Sequence, residues 1–144
     1  MKIGSGKTAL NRALLSGWLF GLALLFTACA EEDNPDDPGA IRDNYLGVWQ
    51  VTENTGINAP QFYRVEIVAG SSDSEIIIED LYNVSGTEVR ALIDGTELTI
   101  PNQSTASITF QGSGSANADF DQISLSFTAN DGTGPDNVEA ILSL

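Results

Sequence analysis

The strongest restriction on the fold of this chain is an alternation of apolar and polar residues that begins near Tyr45 and continues to the C-terminus. Residues 63–67 read Tyr-Arg-Val-Glu-Ile, and residues 123–127 read Ile-Ser-Leu-Ser-Phe. Successive side chains of a β-strand point to opposite faces of its sheet, so this period of two predicts strands with one buried and one solvated face. Similar runs predict further strands, for a total of eight, at 47–53, 75–80, 87–93, 97–100, 107–111 and 138–144.

Turn-forming residues separate these runs. Asp94-Gly95 lies between two apolar runs, which is a signal for a tight hairpin. No helical periodicity follows residue 30, so the alternating strands and helices of a parallel sheet are not expected. Eight evenly spaced strands with short connections predict an all-β domain, either an eight-stranded antiparallel up-and-down barrel or a two-sheet sandwich. The other predicted turn residues are Asn83, Gly86, Gly112, Gly114, Asp131, Gly132 and Gly134.

The composition excludes several classes of function. The chain has 144 residues, no His and one Cys, so it lacks the commonest general base and the ligands of most zinc sites, and it cannot form an internal disulfide. Asp and Glu number 20 against 6 Lys and Arg, which gives a formal net charge of -14. Because binding to phosphate is driven mainly by Lys and Arg, we do not expect nucleic acid as a partner.

The first 28 residues have the layout of a secretory signal peptide. Three basic residues lie within the first twelve positions, residues 13–30 carry no charge, and all 20 acidic residues follow Cys29. A basic head, an apolar segment and a small residue before the break are typical of a cleaved signal, which we assign to residues 1–28. The alternative is an uncleaved membrane-spanning helix, because 18 uncharged residues reach the lower limit of spanning length.

The residues around Cys29 indicate the type of signal. Leu25-Phe26-Thr27-Ala28-Cys29 resembles the lipobox of bacterial lipoproteins, in which a small residue precedes a Cys that is acylated and becomes the new N-terminus. The resemblance implies that Cys29 is lipidated and anchors the mature chain in a membrane. Several acyl chains, at about 0.8 kcal/mol per buried CH2, make such an attachment permanent. The alternative is an unmodified Cys near an ordinary cleavage site.

An acidic segment follows the predicted anchor. Residues 29–40 hold too little apolar surface to fold, so we predict a disordered tether there and a β-barrel domain at 41–144. In one group of Gram-negative bacteria, acidic residues just after the lipidated Cys direct lipoproteins to the outer leaflet of the outer membrane. The resemblance implies this export role for Glu31, Glu32 and Asp33, and a surface-exposed protein. The alternative is a purely electrostatic spacer.

One tripeptide favours the barrel over the sandwich. Gly47-Val48-Trp49 opens the first predicted strand and resembles the G-x-W signature of lipocalins and the wider calycin group. The resemblance implies a barrel whose floor is closed by Gly47 and Trp49, with the first and last strands paired. The chain also looks like small lipocalin-like lipoproteins of unassigned function. The alternative is that Trp49 is a core residue of any β-domain.

The interior of such a barrel is expected to be filled. Strands of about six residues enclose little volume, and six large side chains are available to occupy it. A small apolar pocket at one mouth is the alternative. The six candidates are Trp49, Tyr63, Ile67, Phe110, Leu125 and Phe127.

Catalysis and metal binding would have to rest on carboxylates. Glycoside hydrolysis needs two of them facing each other, and oxygen ligands near a Gly-rich turn suit calcium. Acidic residues in turns are the ordinary surface of a domain, so we expect no enzyme, no cofactor and no metal site. The pairs considered are Asp119 with Asp121, Glu79 with Asp80, and Asp131 with Asp136; the calcium candidates are Asn130, Asp131 and Asp136.

These observations predict an envelope-anchored binding module for a small apolar or glycan-like molecule. The alternative is an interaction or structural subunit of a cell-surface complex with a filled barrel. The partners expected are a membrane, through the lipid anchor, and a small ligand or an envelope protein. Four apolar residues fall out of phase with the inward positions of their strands and could form a docking patch, namely Val48, Ile77, Leu92 and Ile141.

Overall fold

The computed structural model describes residues 36–144. The predicted signal peptide, Cys29 and the acidic residues Glu31, Glu32 and Asp33 therefore lie outside the described residues. The elements are α1 (Pro38–Asp43), β1 (Gly47–Glu53), β2 (Gln61–Ala69), β3 (Glu75–Glu79), a 3-10 turn (Leu81–Asn83), β4 (Glu88–Asp94), β5 (Glu97–Thr105), β6 (Ile108–Ala116), β7 (Gln122–Asn130) and β8 (Pro135–Ser143).

The eight strands form a closed antiparallel barrel. Each strand pairs with the next along the chain, and β1 pairs with β8 to complete the circle. The closing ladder runs from Gln50 opposite Ser143 to Glu53 opposite Ala140. The predicted up-and-down barrel is confirmed, and the two-sheet sandwich is wrong, because β1 and β8 meet instead of ending two separate sheets.

A short helix precedes the barrel. α1 begins at Pro38, three residues before the domain start predicted at Ile41, so the last residues of the predicted tether are helical. Pro is favoured at the first helical position because its φ is already suitable and its missing N–H has no intrahelical partner. Ile41 and Leu46 pack against the core and hold the helix on the barrel. Six residues are too few for a helical period to show in the sequence.

Five of the eight strands are longer than predicted. β2 and β5 to β8 each contain nine residues instead of about six. Gly112 and Gly114, which we predicted as turn residues, lie inside β6. An added Cβ would lie 2.3 Å from the Ser126 carbonyl oxygen at Gly112 and 2.5 Å from the Ser124 carbonyl oxygen at Gly114. These glycines therefore allow β6 and β7 to approach closely.

The hairpin predicted at Asp94-Gly95 forms, with Gly95 and Thr96 as its two loop residues. It lies at the end of the barrel where β1 begins, which we call the lower end, together with α1 and residues 117–121. The upper end carries residues 54–60, 80–87, 106–107 and 131–134. Within residues 36–144, no helix is both long and apolar enough to cross a bilayer.

The core is the interior of the barrel. Inward side chains from all eight strands form one continuous apolar cluster. At the lower end the Trp49 Nε1–H donates a hydrogen bond of 2.8 Å to the Tyr45 carbonyl oxygen. The Tyr45 hydroxyl donates one of 3.0 Å to the Gly95 carbonyl oxygen, and its ring meets Phe120 edge-to-face at 5.2 Å. These contacts close the lower end with protein side chains.

Candidate functional site

The G-x-W residues lie at the lower end of the barrel. Gly47 has a φ of 134°, a conformation that residues with a side chain rarely adopt, and Trp49 is fully buried. The predicted burial of Trp49 is confirmed. The assignment of both residues to barrel closure stays a prediction that agrees with this position.

The interior is occupied by the protein's own side chains. Five of the six residues predicted to fill it are buried, and Tyr63 is half-buried near the upper end. Phe110 and Phe127 lie against each other with ring centroids 6.2 Å apart. A lumen filled in this way holds no ligand unless side chains move. The five buried residues are Trp49, Ile67, Phe110, Leu125 and Phe127.

Two adjoining clefts lie on the outer face of β5 to β8. Both are shallow and largely open to solvent, and their volumes of about 480 Å³ and about 500 Å³ are comparable in size to small-molecule sites. Ser113, Ser126 and Glu139 line both clefts, so the two form one continuous groove, which we call the outer groove. Its further polar lining consists of Asn54, Thr55, Glu97, Asn102, Gln111, Ser115, Ser124, Thr128 and Asn137.

Short side chains produce this groove. The outward positions of β6 and β7 are mainly Ser, Thr and Gln. The lining thus offers hydroxyl and amide groups, which both donate and accept hydrogen bonds. Its charged residues are the carboxylates Glu97 and Glu139. The groove suits a polar ligand that is neutral or positively charged.

A second polar cluster lies inside the upper end, and the sequence analysis missed it. Glu53 is only 1% exposed and Asp136 only 6% exposed. The Tyr63 hydroxyl donates a hydrogen bond of 2.6 Å to Glu53 Oε1, and the Tyr82 hydroxyl donates one of 2.7 Å to Asp136 Oδ2. The signal for Glu53 was present in its spacing, because it continues the inward phase of Trp49 and Val51.

Burial controls the ionisation of this cluster. Loss of contact with water raises the pKa of Glu53, the hydrogen bond from Tyr63 lowers it, and the negative charge of Asp136 raises it, with a net upward shift. The pKa of Tyr63 is also raised, by burial and then by its hydrogen bond to Glu53. Burial, followed by the hydrogen bond to Asp136, raises the pKa of Tyr82.

The calcium candidates have other hydrogen-bond partners. Asn130 Oδ1 accepts from the Gly132 amide, and Asp131 Oδ1 accepts from the amide and hydroxyl of Thr133. These bonds hold the turn between β7 and β8. Within residues 36–144, no group of three or more His, Cys, Asp or Glu side chains has a geometry that could hold a metal ion.

The predicted carboxylate pairs are found in different environments. Asp136 faces inward to Tyr82, whereas Asp131 caps its own turn. Asp80 accepts from the Gly86 amide at 2.8 Å, and Asp121 accepts from the Asn117 side chain at 2.6 Å. Each of these carboxylates thus has a structural hydrogen bond.

Two comparisons with known proteins found no match. No protein-family model matches the chain, and no curated protein matches it.

Proposed function

We propose that this chain is an envelope-anchored binding module that holds a glycan-like molecule in the outer groove. The observation that carries the proposal is the contrast between a barrel interior filled by its own side chains and a hydroxyl-lined groove of ligand size on the outside. A small apolar ligand has less support, because the groove lining is polar and the apolar lumen is occupied.

The lining defines the class of glycan. Sugar hydroxyls donate and accept hydrogen bonds, as do the Ser and Thr hydroxyls and the Asn and Gln amides of the groove. Glu97 and Glu139 accept hydrogen bonds and repel anions. A neutral or amino sugar therefore fits the groove better than a uronic acid or a phosphorylated sugar.

The anchor is part of the same proposal. Its support is the signal-like N-terminus, the lipobox-like residues before Cys29 and the acidic residues Glu31, Glu32 and Asp33. We propose lipidation at Cys29 and location at the outer membrane of a Gram-negative bacterium, with the domain on the cell surface. α1 connects the lower end of the barrel to the predicted tether.

Filling the groove tests its role. Ser126→Trp places a large side chain in the part shared by both clefts, and Glu66→Trp places the same side chain on the exposed face of β2 as a matched control. Binding is measured by titration calorimetry with three tetramers, namely β-1,4-linked glucose, β-1,4-linked N-acetylglucosamine and α-1,4-linked galacturonic acid. We expect a neutral tetramer to bind the wild type and Glu66→Trp, and Ser126→Trp to lose at least tenfold in affinity, about 1.4 kcal/mol.

Two results would contradict this function. Equal binding by both Trp variants would place the ligand elsewhere, and no binding of any tetramer to the wild type would remove the glycan proposal. A preference for the galacturonic acid tetramer would contradict the charge argument alone.

A second candidate function is an interaction subunit, favoured by two exposed apolar side chains near the upper end. Ile57 is 77% exposed and Phe62 is 73% exposed. In the patch predicted from the sequence, Val48 and Leu92 are exposed but Ile77 and Ile141 are half-buried, so that patch is only partly available. Phe62→Ser would release a bound envelope protein that Ser126→Trp retains.

A further inference from the structure

Residues 80–87 cross the upper end of the barrel between β3 and β4, and we call this segment the lid. Leu81, a residue of the lid, is fully buried. The Tyr82 ring lies edge-to-face with Phe110 at 6.5 Å and with Phe127 at 6.3 Å. The Thr87 hydroxyl donates to the Leu81 and Val84 carbonyl oxygens, both at 3.1 Å. The lid thus covers the aromatic part of the core with its own side chains.

Two hydrogen bonds of Tyr82 fasten the lid to the barrel. Its backbone N–H donates to the Tyr63 hydroxyl at 3.0 Å, and its own hydroxyl donates to Asp136. Tyr63 in turn donates to Glu53. Asp136 also accepts from the Ile57 amide at 3.0 Å, which ties residues 54–60 to the same carboxylate. The two buried carboxylates therefore hold two of the upper loops, residues 54–60 and the lid.

The backbone of the lid opposes this fastening. Asp80, Tyr82 and Asn83 have φ values of 61°, 64° and 55°, in the left-handed region. Asp and Asn enter this region more readily than other residues with a side chain, so the strain lies mainly at Tyr82, which surrounding contacts hold there. Release of Tyr82 would relieve this strain.

Electrostatic repulsion acts in the same direction. Arg42 and Arg90 form the ion pairs of residues 36–144 with other carboxylates, so neither Glu53 nor Asp136 has a cationic partner in that part of the chain. Two buried negative charges near each other are unfavourable unless one of them is neutralised by a proton.

The groups around Glu53 come from three further elements. Tyr63 faces it from β2, Asp136 faces it from β8, and Tyr82 adjoins it from the lid. Asp131, in the turn between β7 and β8, acts on Tyr82. None of these groups supplies a positive charge to Glu53. Burial and the charge of Asp136 oppose its ionisation, and only the hydrogen bond from Tyr63 favours it.

We propose that the lid is a pH-sensitive latch, which a proton on Glu53 keeps closed and ionisation of Glu53 releases, uncovering the aromatic surface of Phe110 and Phe127. Burial raises the pKa of Glu53 in the closed form, so the closed form binds this proton more tightly than an open, hydrated form does. By linkage, the closed lid is favoured below the ordinary pKa of 4.5 and loses that advantage as the pH rises through the raised value.

Amide hydrogen exchange of the full chain at pH 4.5 and pH 7.5 tests the latch, after correction for the intrinsic pH dependence of exchange. At pH 7.5 we expect the lid to open more often. Exchange of its amides should rise about tenfold for each unit by which the pKa of Glu53 in the closed form exceeds its pKa in the open form. Glu53→Gln keeps an acceptor for Tyr63 and removes the charge, so its lid should stay protected at both pH values. Glu66→Gln, on the exposed face of β2, is the matched control and should behave as the wild type.

Amides of β7 report whether the barrel itself remains folded in each variant. Tyr63→Phe removes the link between Tyr82 and Glu53, and should expose the lid at both pH values while β7 stays protected. The neutral dye Nile red should bind the wild type more strongly at pH 7.5, and Glu53→Gln weakly at both. Equal lid protection at the two pH values in the wild type, or the same pH dependence in Glu53→Gln, would overturn the proposal.

Discussion

Among single residues, Trp49 contributes to stability in two ways, through the burial of its ring and through one hydrogen bond. Its ring is fully buried in the lower part of the barrel, and its Nε1–H donates to the Tyr45 carbonyl oxygen. Tyr45 is itself held by Gly95 and Phe120. Removing the indole would therefore leave a cavity and also free the segment that caps the lower end.

Trp49→Ala should lower the free energy of unfolding by about 3 to 5 kcal/mol, the usual range for a buried aromatic residue. That loss is a large part of the stability of a small domain. Trp49→Phe keeps most of the apolar contact and loses the hydrogen bond, so it should cost less. Urea unfolding monitored by circular dichroism gives both values, and a loss below about 1 kcal/mol for Trp49→Ala would contradict the packing argument.

Two other residues show where prediction from the sequence ends. The spacing of Val51 and Glu53 places both on the inward face, but no local pattern shows that Tyr63 will supply the hydrogen bond that a buried carboxylate needs. Gly112 is a residue type that is typical of turns, but it lies within strand β6. The approach of β7 to within 2.3 Å of an added Cβ explains its presence, and that approach is a long-range contact.

Among the strands, β4 and β5 pair only next to their hairpin and then separate. Their ladder covers only Leu92–Asp94 of β4, and the register of β5 with β6 shifts between Ile100 and Gln103. The Gln103 side chain replaces the missing ladder. Its Oε1 accepts from the Arg90 amide at 2.9 Å, and its Nε2 donates to the Arg90 carbonyl oxygen at 2.6 Å. One amide side chain thus imitates a backbone peptide.

Gln103→Ala should lower the free energy of unfolding by about 1 kcal/mol, because Arg90 then loses both backbone partners but water can reach them. Amide exchange at Arg90 should rise by more than exchange in β7. Asn102→Ala, one residue away and exposed, is the control and should change stability by less than about 0.5 kcal/mol. Equal effects of the two variants would show that the amide bridge contributes nothing.

For the whole molecule, the closed barrel and the strong negative charge determine how the domain meets its surroundings. Every strand has two hydrogen-bonded neighbours, so the barrel offers no free strand edge for association. The strong negative charge favours solubility and disfavours contact with anionic surfaces. An acyl anchor would hold such a domain at a membrane that its own surface does not attract.

Cys29→Ser should abolish acylation in a Gram-negative host and leave precursor or soluble protein. The reason is that the thioether bond to diacylglycerol needs the thiol, and the domain has no other predicted attachment. Partition into the detergent phase, with radiolabelled palmitate incorporation, measures the change. Equal partition of wild type and variant would remove the lipoprotein proposal.

A triple variant separates the anchor from the export signal. Replacing Glu31, Glu32 and Asp33 with Ala keeps Cys29, so partition into detergent should persist while cleavage by external protease decreases. Unchanged protease access would favour the electrostatic spacer over the export signal.

The all-β class follows from the amino-acid sequence alone, because a period of two and the turn residues between the runs are local properties that specify which face of each strand is buried. The sequence also indicated the hairpin at Asp94-Gly95 and the burial of Trp49. Three features became visible only in the folded chain: β1 pairs with β8, β6 runs through Gly112, and Glu53 and Asp136 meet two tyrosines under the lid. These features depend on contacts between residues far apart in the chain, whose partners no local pattern identifies.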